Sequence, residues 1–271
     1  EEEVLDAEPE AFRDIEDIPP LRLPVDRSGG EVAGIEHVGL NVDPAALLRG
    51  DVRLGTITIR GLRATIRQAG DGTWNVSQLM RKLPPAPPAI GPRRLVIADS
   101  IALEDARLVL ITPDTLGTLP PVRRTFAPLA AHLGATVFSS PDSVGGWAPL
   151  RQLATTISLP PVTLASAVGR LRWWSDSLRL DVPTLRLPAS RASVTGTIAW
   201  PAAGSRLALY IVADTVAIPD VRWMSALFPH DGRASATVAV RSAARDAFRY
   251  EVREFAMTSG TSRLAGSLAI M

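Results

Sequence analysis

The chain has 271 residues, of which 46% are hydrophobic but only 5% aromatic, and its formal net charge is +1. It contains no cysteine, which excludes disulfides, thiolate metal sites and cysteine nucleophiles. No uninterrupted apolar stretch reaches the length of about 20 residues that a membrane-spanning helix needs.

Residues 1–34 form an acidic N-terminal segment. Its first 17 residues carry nine acidic side chains against Arg13, a net charge of −8, so the other 254 residues carry +9. A run of like charge is typical of an exposed or disordered segment. The first residue is not Met, and no secretory leader pattern is present, so we expect a processed or partial chain.

Residues 35–111 are predicted to form a β unit that contains a short capped helix. Apolar residues alternate along the stretch from Val52 to Ile66, which is typical of a strand with one buried face. The alternation changes phase at Gly55 and at Gly61. Each glycine is therefore a candidate bulge or bend.

A tight turn and a helix cap are predicted after this strand. Asp71 and Gly72 can adopt the positive φ angles of a tight turn, and Asn75 is placed to cap the helix that follows. Trp74 and Leu79 would form its hydrophobic staple. We therefore assign Asp71, Gly72, Trp74 and Asn75 to a structural turn and cap, and not to a ligand site.

This segment resembles the N-terminal signature of the AsmA/TamB-like proteins of bacterial envelopes. In that family a leucine-glycine turn, a strand pair, a DG-W-N turn and a proline-rich spacer follow one another. The matching residues are Leu47 to Gly50, Val52 to Ile66, Asp71, Gly72, Trp74 and Asn75. The stretch from Arg93 to Ile111 resembles the strand, turn and strand that come next in the family. The motif carries no catalytic residue.

The resemblance implies both a shape and a role. In the family the sheet curls into an open groove whose apolar lining holds acyl chains, and members are implicated in moving phospholipid between the two membranes or in outer-membrane assembly. It implies a periplasmic location at the inner membrane, with any membrane helix outside this chain. Phospholipid or other acyl chains are the implied ligands.

Residues 112–176 are predicted to be a proline-rich irregular connection. Short apolar segments are interrupted by Pro113, Pro120, Pro121, Pro141, Pro160 and Pro161. Val122 to Leu133 and Trp147 to Leu153 are candidate short helices, although Pro128 argues against the first.

Residues 177–271 are predicted to form an antiparallel β repeat unit, because apolar and polar residues alternate through most of this region. The stretch from Ser193 to Trp200 aligns without gaps on Arg263 to Ile270, a shift of 70 residues, which indicates a repeated strand pair. Between the copies, Pro219 to Phe228 is predicted to be a short helix with Trp223, Ala226 and Leu227 on one side. The residues predicted to line an apolar groove are Val194, Ile198, Leu207, Leu209, Ile211, Val238 and Val240.

The sequence predicts no catalytic, cofactor-binding or metal site. His37, His132 and His230 are far apart and lack the spacing of metal ligands. Nucleotide-binding loops and hydrolase elbows are absent. The carboxylates Asp99, Glu104 and Asp105 lie close together, but a turn between two strands explains them better than a calcium or catalytic site. Arg170, Arg172, Trp173 and Trp174 are interpreted as strand residues with one exposed face, so no nucleic-acid partner is expected.

The predicted fold is therefore mostly β, a long twisted antiparallel sheet that curls into an open groove or taco-like sandwich, with a few short helices. We carry two hypotheses of function. The first is a non-enzymatic envelope protein that shields acyl chains or assists envelope assembly. The alternative is a structural accessory subunit on the periplasmic face of an inner-membrane complex, respiratory or photosynthetic, with its apolar face filled by its own side chains or by the partner.

Overall fold

The computed structural model describes residues 13–18, 20–22, 32–42, 52–70, 73–75, 94–113, 120–140, 143–199, 206–242 and 248–270. These ranges form one open, 17-stranded sheet. The prediction of a mostly β fold built on a long open sheet is confirmed.

The N-terminal part of the sheet is built from short strands that follow one another in collinear pairs. Within the acidic segment, residues 13–18 form a strand, so the expectation of disorder is wrong for that stretch. The strands are β1 (Arg13–Ile18), β2 (Leu21–Arg22), β3 (Ala33–Ile35), β4 (His37–Val42), β5 (Val52–Arg60) and β6 (Arg63–Arg67). Strand β1 lies antiparallel to β4, and β2 lies antiparallel to β3. On their other side, β4 lies antiparallel to β5, and β3 lies antiparallel to β6.

Both glycines at the predicted phase changes mark irregular points in this part of the sheet. Gly55 and Thr56 lie between the ladder pairs that Ile57 and Leu54 make with β4, where two residues oppose one, as in a β-bulge. Gly61 has a φ of 66° and separates β5 from β6. Glycine adopts this left-handed conformation without the steric cost that other residues meet.

The next strand, β7 (Arg94–Thr112), lies parallel to β5 and β6. A parallel pair needs a long crossover, and residues 68–93 supply it. The predicted strand, turn and strand over residues 93–111 is wrong, because β7 is one continuous strand. Its register with β8 shifts between Leu103 and Ala106, where Asp105 has a φ of 46°.

The predicted irregular connection over residues 112–176 is also wrong, as are its two candidate helices. This region contains β8 (Val122–Ser140), β9 (Ser143–Ser158), β10 (Pro161–Leu164) and β11 (Ser166–Trp174). Pro128 lies at a register shift between Phe126 and Leu129, where the ladder of hydrogen bonds is already interrupted. A proline is tolerated at such a bulge, so it does not end the strand.

The C-terminal part is a meander in which every strand is antiparallel to the next. Its strands are β12 (Ser177–Arg186), β13 (Arg191–Ala199), β14 (Arg206–Ala217), β15 (Arg233–Ser242), β16 (Phe248–Ser259) and β17 (Ser262–Ile270). Strand β17 forms an edge of the described sheet. Leu264 and Leu268 on it are each 56% exposed.

A helix connects β14 to β15, but it is shorter than predicted. It consists of α1 (Ile218–Val221) and a 3-10 turn (Arg222–Met224). Ile218 is 1% exposed, and α1 contacts β14 and β10. The expectation that Trp223 and Leu227 form the helix's apolar side is not met, since both are exposed.

Hydrogen bonds fix α1 to the neighbouring turn. The Asp220 carboxylate accepts hydrogen bonds from the Ser190 hydroxyl (2.6 Å) and from the backbone N–H of Ala189 (2.9 Å). The same hydroxyl accepts from the backbone N–H of Ala217 at 2.9 Å. Ser190 is 5% exposed, so the two bonds of its hydroxyl are shielded from water and fix the position of α1.

Candidate functional site

All residues predicted to line an apolar groove lie on one face of three neighbouring strands, β13, β14 and β15. Residues directly opposed across a ladder point to the same face of a sheet. Val194 lies opposite Ile211, and Ile211 lies opposite Val238. The remaining members pair in the same way: Leu209 with Val240, and Ile198 with Leu207. We call this side of the sheet the apolar face and the opposite side the polar face.

The apolar face extends beyond the predicted residues. One row crosses from β12 to β17 through Val182, Val194, Ile211, Val238, Val252 and Leu268. With neighbouring strands about 4.8 Å apart, this row is about 24 Å long. Val182, Val252 and Leu268 were missing from the predicted lining, although they belong to the same alternating patterns.

The exposure of the apolar face differs between its two ends. A core cluster of Leu150, Ala167 and Val182 lies at the β9 to β12 side, where Val182 is 8% exposed. Exposure rises toward the edge, to 56% at Leu268. All described strands belong to one sheet, so no separate second sheet lies on this face among the described residues. The face is therefore a half-open apolar surface.

Consecutive glycines in β9 accommodate an aromatic ring on each side of the sheet. On the apolar face, a Cβ on Gly146 would overlap the Trp173 indole. On the polar face, a Cβ on Gly145 would lie 2.7 Å from Cζ of Phe138, whose ring centroid is 6.2 Å from that of Trp147. An aromatic ring over a glycine restores packing that the missing side chain would have supplied.

Replacing Gly146 by alanine should displace the Trp173 indole, crowd the carbonyl oxygen of Thr136 and lower the free energy of unfolding by about 2–3 kcal/mol. Chemical denaturation measures the loss, and near-ultraviolet circular dichroism reports the changed indole environment. In a Trp173→Leu background the same replacement has more room, so its cost should fall. An equal cost in both backgrounds would show that the ring is not the obstacle.

The Arg-Trp stretch of β11 is divided between the two faces. Trp173 lies opposite Gly146 on the apolar face, whereas Arg172 and Trp174 lie on the polar face. Arg172 is directly opposite Trp147 on one side and Arg179 on the other. The stretch therefore does not present one continuous Arg-Trp surface.

The polar face is rich in arginine. Arg172 opposes Arg179, and Arg241 opposes Arg249. Directly opposed like charges are unfavourable in a sheet, although exposure to water weakens the repulsion. Arg253 donates a 2.7 Å hydrogen bond to Glu251. That bond lowers the pKa of Glu251 from its ordinary value, and the nearby arginine charges act in the same direction.

The acidic residues of β7 are paired with arginines of β5 and β6. Asp99 pairs with Arg53 at 3.1 Å and Glu104 with Arg60 at 3.0 Å. Asp105 pairs with Arg63 at 3.1 Å. The predicted turn between strands is wrong for these carboxylates, which lie within one strand. The pairs are exposed, so each contributes at most about 1 kcal/mol.

The histidines do not come together. Nε2 of His132 lies 2.8 Å from Oγ of Ser100. His230 accepts a hydrogen bond from Arg222 at 3.2 Å. His37 lies in β4. Within the described part of the chain, no group of three or more His, Cys, Asp or Glu residues is arranged to hold a metal ion.

Asn75 has a role that the sequence did not reveal. It is 8% exposed, its Oδ1 accepts from the backbone N–H of Arg67 at 3.0 Å, and its Nδ2 donates to the carbonyl of Thr65 at 2.8 Å. Trp74 forms a bridge with Gln68. Asp71, Gly72 and the predicted helix after Asn75 lie outside the described residues. The side chain of Asn75 thus binds the backbone of β6.

A shallow recess of about 490 Å³ lies beside α1. Its lining includes Arg191, Arg233, Asp231 and Pro219. Asp231 accepts a hydrogen bond from the Ser259 hydroxyl at 3.3 Å. The recess combines charged side chains with the apolar residues Ala189, Ala217 and Pro219.

None of the helices in the described ranges is long and apolar enough to cross a membrane. No family model, no curated protein and no solved structure matches the chain.

Proposed function

We propose that the chain is a non-enzymatic envelope protein that shields lipid acyl chains on its apolar face. The observation that carries the proposal is the row of apolar side chains from Val182 to Leu268, whose exposure rises from 8% to 56% toward the edge of the described sheet. Large exposed apolar surfaces are typical of binding sites. The resemblance to AsmA/TamB-like proteins, carried by residues 35–111, points to the same role.

The energetics favour such a role. Each methylene exposed to water costs about 0.8 kcal/mol, so a 16-carbon chain that crosses water unshielded meets a barrier of about 12 kcal/mol. A single acyl chain spans about half of the roughly 30 Å hydrocarbon core of a bilayer. The row of about 24 Å is long enough to hold it. Shielding needs no bond to be made or broken.

The proposed setting is the periplasm at the inner membrane, with phospholipid as the proposed ligand. Moving phospholipid between membranes and assisting outer-membrane assembly both fit an apolar face that is open at its edge. Leu264 and Leu268 at that edge allow the face to continue onto another surface.

The alternative function is a structural accessory subunit that docks on an inner-membrane protein complex. The edge position of β17 among the described strands favours it, because the free side of an edge strand can accept a strand from a partner. The residues on β17 are exposed on both faces. In this case the partner would cover the apolar face.

Photo-crosslinking at neighbouring positions tests the proposal. Leu209 lies on the apolar face, and the next residue, Tyr210, lies on the polar face and is 50% exposed. A photo-crosslinking residue at Leu209 should capture phospholipid in bacterial cells, and the same residue at Tyr210 should not. Protein adducts without lipid at Leu209 would favour the accessory subunit, and equal lipid capture at both positions would contradict a face-specific site.

A charge on the apolar face separates the two functions further. Leu209→Asp should abolish lipid capture by a crosslinker at Val238 while the β-type circular dichroism remains, because a half-open face lets water reach the carboxylate. In a covered face, a buried charge without a partner is strongly destabilising. Unfolding of Leu209→Asp but not of Tyr210→Asp would therefore favour the accessory subunit.

A further inference from the structure

The segment between α1 and β15 exposes large apolar side chains. Trp223 is 44% exposed, Met224 62% and Leu227 94%. We call residues 222–228 the apolar tip. Contact of such side chains with water does not stabilise the chain. A cluster of exposed apolar residues is typical of a surface that contacts a protein or a membrane.

The apolar tip is held in place by its own hydrogen bonds. The backbone N–H of Ser225 donates to the carbonyl of Arg222 at 3.2 Å, and that of Phe228 donates to the carbonyl of Ser225 at 3.3 Å. The Ser225 hydroxyl accepts from the N–H of Leu227 at 3.1 Å. The base is fixed by Ile218, whose N–H donates to the carbonyl of Gly232 at 3.1 Å. The outward side chains are therefore presented by an ordered turn.

Basic side chains lie at the base of the apolar tip. Arg222 is exposed and donates to His230 at 3.2 Å. The recess beside α1, lined by Arg191 and Arg233, also includes Pro219 at the start of the connection. Asp231 lines the same recess and Asp220 lies in α1, so the three arginines exceed the two carboxylates beside the apolar tip by one positive charge. An apolar segment next to a basic excess suits a surface of anionic phospholipid.

We propose that the apolar tip inserts into the surface of an anionic phospholipid bilayer, with Trp223, Met224 and Leu227 among the acyl chains. Tryptophan favours the boundary between headgroups and acyl chains. Leucine and methionine gain by leaving water, and arginines meet the lipid phosphates. The inference does not require that the apolar face binds lipid, because the apolar tip is a separate surface.

Site-specific labelling tests insertion. The chain has no cysteine, so Leu227→Cys provides a single position for an environment-sensitive fluorophore, and Tyr210→Cys provides a control on the polar face. With vesicles of phosphatidylglycerol and phosphatidylcholine, the label at 227 should shift to the blue and brighten several-fold, and the label at 210 should not. Vesicles of phosphatidylcholine alone should give a weaker response. A label at 227 that stays in water, or an equal response at both positions, would overturn the proposal.

Variants of the unlabelled chain test the same contact. Combining Trp223→Ser with Met224→Ser should weaken partition onto the anionic vesicles about tenfold or more, because two apolar side chains no longer leave water. Tyr210→Ser, which removes an exposed aromatic side chain from the polar face of β14, should leave partition unchanged. Circular dichroism checks that both variants fold. Unchanged partition of the double variant would refute insertion.

The outcome is independent of acyl binding on the apolar face. The double variant should still capture detergent-solubilised phospholipid through a crosslinker at Leu209, since that residue lies on β14 and not in the apolar tip. Loss of vesicle partition with retained capture supports both proposals. Retained partition would contradict the role of the apolar tip, and lost capture in the double variant would contradict the independence of the two surfaces.

Discussion

Replacing Gly196 by alanine is expected to lower the free energy of unfolding by about 3 kcal/mol, whereas the same replacement of Gly266 is expected to be nearly neutral. A Cβ on Gly196 would overlap the carbonyl oxygen of Ala208 and lie 2.9 Å from Cα of Leu209. Backbone atoms cannot move aside as a flexible side chain can. The adjacent strand would have to shift, so we expect a loss in free energy of unfolding at the high end of the range for overpacked sites.

Gly266 is the matched control because it occupies the equivalent place in the internal repeat. The 70-residue shift that aligns the two segments takes Gly196 to Gly266. Both glycines lie in the second strand of a hairpin, but no atom lies within 4 Å of a Cβ built on Gly266. The difference arises because β13 is paired on both sides and β17 is an edge in the described sheet.

Chemical denaturation of the two variants measures the difference, with the slope of the transition checked for constancy. Equal losses in the two variants would mean that β17 is as crowded as β13. Such a result would indicate that another strand covers the edge in solution, either from a second copy or from a part of the chain outside the described residues.

The C-terminal strands could be predicted from sequence because each has two chemically different faces. In β14, Leu207, Leu209 and Ile211 alternate with Arg206, Ala208 and Tyr210, and the ladder confirms that the two sets lie on opposite faces. Period-two alternation identifies a strand when one face is apolar and the other polar. The same contrast predicted the members of the apolar face.

The strands between residues 112 and 176 were missed because the two faces of these strands differ little in polarity. In β8, Ala130, Ala131 and Ala135 carry little information about which face is buried. Pro128 suggests an interruption, although the register shift beside it removes the conflict with the ladder. Local patterns do not report such shifts, since a register shift is a property of two paired strands.

Pairing between residues that are distant in the chain could not be predicted from the sequence either. The parallel register of β5 with β7 brings Arg53 to Asp99 and Arg60 to Glu104, residues separated by more than forty positions. The carboxylates alone suggested a turn. The sequence does not show that these carboxylates pair with arginines of β5, because the pairing depends on the crossover over residues 68–93, which places β7 beside β5.

Replacing Asn75 by alanine is expected to lower the free energy of unfolding by about 3 kcal/mol, more than the roughly 1 kcal/mol of a helix cap. Its amide accepts from the N–H of Arg67 and donates to the carbonyl of Thr65. Asn75 is 8% exposed, so alanine would leave these backbone groups shielded from water and without this partner. A buried group left unsatisfied costs about 1–3 kcal/mol.

The position of Asn75 on the sheet explains why an amide is needed. The N–H of Thr65 donates to the carbonyl of Val32 at 2.8 Å, where the neighbouring strand supplies backbone partners. One step further along β6, the Asn75 side chain takes over this function. It offers one acceptor and one donor, as the peptide group of a neighbouring strand would.

Asn75→Asp distinguishes this role from a helix cap. Aspartate caps a helix about as well as asparagine, so a cap alone predicts little change. In the ladder role, aspartate keeps the acceptor for Arg67 but sets a carboxylate oxygen against the carbonyl of Thr65, which removes a donor and adds repulsion. Chemical denaturation should therefore show a loss for Asn75→Asp close to that of Asn75→Ala. The opposite result is an unchanged free energy of unfolding for Asn75→Asp together with a loss for Asn75→Ala. That result would mean that Asn75 stabilises the chain as a cap on the helix that follows, and that its contacts with the backbone of β6 contribute little.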